Sequence, residues 1–154
     1  MLQKIVKNKR VEVEERKKGF PDSLLRSKSM FKAERPSFYD ALRKEGSSVI
    51  AEFKRKSPSR GIINKNVKLA EVVKGYEQAG ASAISVLTDS FFDGKNEDLE
   101  EAFSLVGIPL LRKDFIIDPY QIIESKSLGA SAILLIAAIL TGEEVKEFSK
   151  IAYD

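Results

Sequence analysis

From residue 47 onward the chain alternates between short apolar runs and longer stretches whose apolar residues recur at helical spacing. The runs predict strands over 48–54, 82–88, 108–113 and 131–137, and the spaced stretches predict helices over 69–79, 98–106, 119–128 and 142–153. Leu69, Val72, Val73 and Tyr76 fall at i, i+3, i+4 and i+7, as do Leu99, Ala102, Phe103 and Val106. Each of these helices therefore carries one apolar stripe that needs a sheet to press on. Asp118 before Pro119, with Gln121 following, and Thr141 with Glu144 three residues on read as capped helix starts, while Gly80 and Gly129 stand where a left-handed stop belongs. The strands are nearly unbroken apolar runs, Ala132-Ile133-Leu134-Leu135-Ile136-Ala137 above all, as strands covered on both faces should be. Four strand–helix units of this kind predict an α/β protein with a parallel sheet.

Residues 1–46 have another character. They are highly charged, contain Pro21 and Pro36, and offer only short helical patterns such as Phe38, Ala41 and Leu42, with no strand candidate. The expected division is an N-terminal helical extension over 1–46 and a (βα)4 unit over 47–154. Within that unit Gly80-Ala81-Ser82-Ala83-Ile84 recurs as Gly129-Ala130-Ser131-Ala132-Ile133, each time between a helix and the next strand. Such reuse fits a (β/α) barrel or a doubly wound sheet. With no Gly-x-Gly-x-x-Gly or Walker loop ahead of the helices, the barrel is favoured over a nucleotide-binding fold.

Composition narrows the chemistry. At 154 residues, 43% hydrophobic and 32% charged, the chain is ordinary for a globular protein with one moderate core. A formal charge of +3 is too small to suggest nucleic acid, and the most cationic run, 54–68, has no interleaved aromatic side chain beyond Phe53. No window approaches the roughly 20 apolar residues of a membrane span. The start, Met1-Leu2-Gln3-Lys4, lacks the apolar core and cleavage site of a secretory signal, so a cytoplasmic location is expected. The chain has neither Cys nor His, which removes thiolate chemistry, makes a typical zinc site improbable, and leaves Lys, Glu, Asp or Tyr as the available acids and bases.

The segment Glu52-Phe53-Lys54-Arg55-Lys56-Ser57-Pro58-Ser59-Arg60-Gly61 follows a short apolar strand and places two opposite charges two residues apart at its end. In a strand that spacing means one face, so Glu52 and Lys54 should point into the same space. The Ser-, Pro-, Gly- and cation-rich loop beyond them suits an anionic small molecule. An ordinary ion pair at a strand end is the plainer alternative. Likewise, Lys113 between Arg112 and Asp114 could be a solvated strand end.

The run Ile50 to Gly61 closely resembles the first-strand signature of indole-3-glycerol phosphate synthases. Ser85-Val86-Leu87-Thr88-Asp89, Phe91-Phe92-Asp93-Gly94, Pro109-Leu110-Leu111-Arg112-Lys113-Asp114-Phe115-Ile116 and Asp118-Pro119-Tyr120-Gln121 resemble that family's second and third strands in order and spacing. The resemblance implies a (β/α)8 TIM barrel of which this chain holds the first four βα units. It implies a cofactor- and metal-free lyase of tryptophan biosynthesis that closes the indole ring of 1-(2-carboxyphenylamino)-1-deoxyribulose 5-phosphate with loss of carbon dioxide and water. In that light Lys113 would be the general acid on the substrate carbonyl. Lys54 would meet the substrate carboxylate and assist proton transfer, and Glu52 would keep both lysines oriented. Ser57 would lie near the phosphate or carboxylate, or else cap the turn before Pro58. Phe115, Phe92 and Leu135 would form an apolar wall for the anthranilate ring, or serve only core packing. Four parallel strands cannot close a barrel, so the edges at the first and fourth strands and the inward faces of Ile50, Leu87, Leu111 and Leu135 should be open, favouring self-association. With four of eight βα units, the resemblance implies that the lyase activity belongs to the parent enzyme and that these 154 residues alone are inactive or very weak. A catalytically silent folding or assembly unit is the alternative reading, and a Schiff-base aldolase the competing enzyme.

Overall fold

The computed structural model describes residues 2–64 and 66–154; Lys65, within the cationic run 54–68, and Met1, the first residue of the predicted extension, lie outside the described residues. The chain opens with a helix of 18 residues, α1 (Leu2–Gly19), followed by three short ones, α2 (Asp22–Ser27), α3 (Ser29–Lys32) and α4 (Phe38–Leu42). Then come β1 (Ile50–Phe53), a small hairpin of β2 (Lys56–Ser57) and β3 (Gly61–Ile62), and α5 (Leu69–Gln78). The rest runs β4 (Ala83–Leu87), a 3-10 turn at Ser90–Phe92, α6 (Asn96–Leu105), β5 (Leu110–Lys113), α7 (Pro119–Ser127), β6 (Ala132–Ile133) and α8 (Gly142–Tyr153).

Four strands form one parallel sheet in the order β1-β4-β5-β6. Sequential parallel neighbours separated by helices are what the alternating pattern predicts. The register aligns Glu52 with Ser85, Ser85 with Leu111, and Leu111 with Ala132, so these four share one face. The alternate residues Phe53, Ile84, Val86 and Leu110 turn the other way into a buried core with Leu69, Val73, Leu99 and Ala102 of α5 and α6. The predicted stripes therefore do press on the sheet.

The local signals act as expected. Asp118 accepts from the Tyr120 amide at the start of α7, and Thr141 with Glu144 forms a capping box on α8. Gly80 and Gly129 take positive φ of 86° and 93° at helix ends. At Gly129 a Cβ would also meet the Phe103 ring at 2.4 Å, so the glycine is required twice over.

Several expectations are corrected. The N-terminal segment holds more than short helical patterns: Phe38–Leu42 does form the short α4, but α1 is the longest helix among the described residues, and its buried positions are Ile5, Lys9 and Val13. A lysine in the middle of that i, i+4, i+8 stripe breaks the apolar pattern that reveals a helix in sequence. The hairpin β2–β3 lies inside what reads as a loop, turned by Gly61 at φ 63°. Strand pairing in 131–137 extends only over Ala132–Ile133, at the edge of the sheet. Leu87, expected to be open on the inner face, is buried, and Leu111 is half-buried; Ile50 is exposed.

Candidate active site

At the C-terminal end of the sheet, Glu52 of β1, Lys54 just beyond it and Lys113 at the end of β5 meet. One oxygen of Glu52 accepts from Lys54 Nζ at 2.7 Å, and the other accepts from Lys113 Nζ. The two-residue spacing in β1 and the register that sets Lys113 beside Leu87 produce this convergence. All three side chains stay partly open to solvent. Half-burial pushes the Glu52 carboxyl up, but hydrogen bonds and charge from Lys113 and Lys54 outweigh it and leave the group below the usual glutamate value.

Beside these charges lies a pocket of about 140 Å³, whose apolar walls include Phe92, Phe115, Leu134, Ile136 and Leu87. Phe92 and Phe115 are stacked, with centroids 6.4 Å apart and planes 21° from parallel. A dry apolar cavity of roughly 150 Å³ takes a benzene molecule, so the slot has room for one six-membered ring. Its lining also carries the ammonium groups of Lys54 and Lys113 and the Glu52 carboxylate that pairs with both. The arrangement suits a planar aromatic acid, and its lysines can donate protons. A larger groove of about 490 Å³ is lined by α2 and α7, but its charges Lys17 and Arg26 are tied to Asp118 and Asp22 in surface pairs.

Of the residues singled out in sequence, Glu52, Lys54, Lys113, Phe92 and Phe115 come together. Leu135 does not. It packs against the cluster of Ile116, Ile122 and Phe148, on the α7 and α8 side of the sheet, and its neighbours Leu134 and Ile136 face the pocket instead. In a run apolar at every position nothing local sets the parity; the pairing of Ala132 with Leu111 does. Ser57 is buried in the hairpin, where its Oγ accepts from the Arg60 amide at 3.2 Å, the turn-capping alternative. The hairpin is held by Arg55, whose guanidinium forks onto Asp98 at 2.5 and 2.8 Å and lies over the Phe53 ring.

Behind the pocket sits a buried charge network that sequence reading passed over. Arg112, fully buried, donates to Asp114 at 3.1 Å and to Glu124 at 2.9 Å, and Asp114 also accepts from Thr88 Oγ1 at 2.7 Å. Lys9 of α1 reaches Asp89 at 2.7 Å and Asp114 at 3.0 Å. Asp89 and Asp114 also line the pocket. The signal available in sequence was the alternation in Leu110 to Lys113, which turns Arg112 away from the site and obliges it to find buried anions.

A sequence model of the family described as indole-3-glycerol phosphate synthase matches residues 2–154. A curated indole-3-glycerol phosphate synthase of Leptospira interrogans is 52% identical over 117 residues, covering 75% of this chain and 46% of the relative. That of Bacteroides thetaiotaomicron is 43% identical across 100% of this chain and 60% of its own length. That of Endomicrobium trichonymphae is 46% identical across 99% of this chain and 60% of its own length. The chain thus spans between 46% and 60% of the length of these relatives.

Proposed function

Because the chain belongs to the indole-3-glycerol phosphate synthase family, we propose that its pocket is the anthranilate-binding and proton-donating part of a decarboxylating lyase that forms the indole ring of tryptophan biosynthesis. The four βα units are then one arc of a (β/α)8 barrel, with the site at the C-terminal ends of the strands as that architecture requires. The substrate is 1-(2-carboxyphenylamino)-1-deoxyribulose 5-phosphate. Its aromatic ring lies in the slot between Phe92, Phe115 and Leu134, and its carboxylate faces Lys54.

Lys113 donates a proton to the ketose carbonyl oxygen while the ring carbon bearing the carboxylate attacks the carbonyl carbon. Loss of carbon dioxide restores the ring electrons. The new hydroxyl leaves as water when an ammonium protonates it, and loss of a proton from carbon completes the indole. Glu52 holds both lysines at the mouth, so the acid is in place before substrate arrives.

The observation that carries this reading is the single carboxylate bridging two lysines at the rim of a slot one ring wide. Schiff-base chemistry at Lys113 needs a neutral amine, which pairing with the Glu52 carboxylate works against; borohydride with a carbonyl substrate should leave no adduct. On mixing with substrate, indole fluorescence should grow, and Lys113→Ala should slow it by about 10² to 10⁴-fold. Equal rates in the two proteins would remove Lys113 from the mechanism. Absence of fluorescence in both would support a folding or assembly role for the chain instead.

A further inference from the structure

Lys9 lies on α1, far in sequence from every pocket residue, yet it is only 1% exposed. Its ammonium meets Asp89 at 2.7 Å, Asp114 at 3.0 Å and Glu12 at 2.8 Å. Each aspartate has a second task. Asp89 accepts from the Phe91 amide at 2.8 Å and so caps the 3-10 turn that carries Phe92. Asp114 accepts from the Phe115 amide at 2.8 Å. The two carboxylates that share Lys9 thus anchor the two backbone segments whose rings stack in the pocket.

Without a cation between them the aspartates would repel, and Asp89 has no other cationic partner among the described residues. An unpaired buried carboxylate is strongly destabilising in its place and tends to move or recruit a new counter-ion. The cations of the pocket lining are the ammonium groups of Lys54 and Lys113, which the mechanism needs on Glu52.

We propose that Lys9 is a positioning residue of the site: its ammonium clamps Asp89 to Asp114 and thereby sets the stacking of Phe92 on Phe115 that makes the aromatic slot. The functional consequence rests on the reading of that slot as the holder of the substrate ring. Burial works against the charge on Lys9, but Asp114 and Asp89 outweigh it and raise the group above the usual lysine value, so the clamp stays charged. It also gives α1 a task at the site besides packing on α7 through Val13.

The test uses the chain labelled with ¹³C-phenylalanine and 2-aminobenzoate as the probe ligand. In the wild type the Phe92 and Phe115 rings should show a mutual NOE, and 2-aminobenzoate should perturb both. Lys9→Met should lose the NOE and bind the probe about tenfold more weakly. Adding Asp89→Asn should restore the NOE and return binding to within about threefold, because the amide keeps an oxygen for the Phe91 N–H while removing the charge that required Lys9. Lys9→Met with NOE and binding intact would overturn the proposal, and so would a double variant as impaired as the single one. Should Lys9→Met not fold, the double variant decides alone: a folded protein with the NOE supports the clamp, and an unfolded one overturns it. If the wild type shows the NOE but does not bind 2-aminobenzoate, the ring-slot reading falls while the NOE arms still decide the role of Lys9.

Discussion

Glu52 and Asp114 show how the same functional group, a carboxylate, is used in two ways at one strand-end site. Glu52 is half-open and holds two lysines that substrate can reach. Asp114 is sealed: burial pushes its carboxyl up, but Arg112, Lys9 and Thr88 overcome that and bring it down from 3.8 to about 2. The sign follows from the depression. Stabilisation by Asp114 is complete above the unfolded value and drains away as pH falls through the folded one, an effect of about 2 kcal/mol between roughly pH 4 and pH 2. Urea midpoints should therefore drop across that window in the wild type and drop less in Asp114→Asn, which should already be weaker at neutral pH. Parallel curves would mean that Asp114 is not the group lost in acid. In sequence, Glu52 and Lys54 were legible as a pair because strand period two puts them on one face, and the same spacing joins Arg112 to Asp114, but the other partners of Asp114 were not legible. They come from residue 9 and residue 88, and no local rule joins those positions to residue 114.

At the scale of elements, β6 illustrates how little an all-apolar run says about direction. Its register turns Leu134 and Ile136 toward the slot and Leu135 toward Phe148. Leu134→Ala should weaken 2-aminobenzoate binding with little loss of stability, while Leu135→Ala should cost about 2 kcal/mol of stability and leave binding unchanged. Denaturation midpoints and probe titrations of the two variants check this, and the reverse assignment would show that the strand sits one residue out of register. The helix α1 was hidden for a related reason. Its buried stripe passes through Lys9, so the periodicity that exposes α5 and α6 is interrupted where the helix meets the site. Caps and glycine stops, by contrast, were readable because each depends on residues within one turn.

Over the whole molecule, the sheet ends at β1 on one side and β6 on the other, and Ile50 is exposed on its inner face. Unpaired strand edges invite pairing with another strand, so the chain should self-associate at micromolar concentration. Light scattering giving the mass of one chain would refute that. The sequence by itself determined the alternation of the four parallel strands with their helices, the caps of α7 and α8 and the Glu52–Lys54 pair, because each is written in a periodicity or a spacing of a few residues. Lys113 could be given a role only through resemblance, since its meeting with Glu52 spans 61 positions. Only the tertiary structure decided which face of residues 131–137 lines the site, that α1 reaches the strand ends, and that Lys9 joins Asp89 to Asp114. Those facts depend on strand register and long-range packing, which fix a side chain's surroundings from segments that local pattern cannot relate.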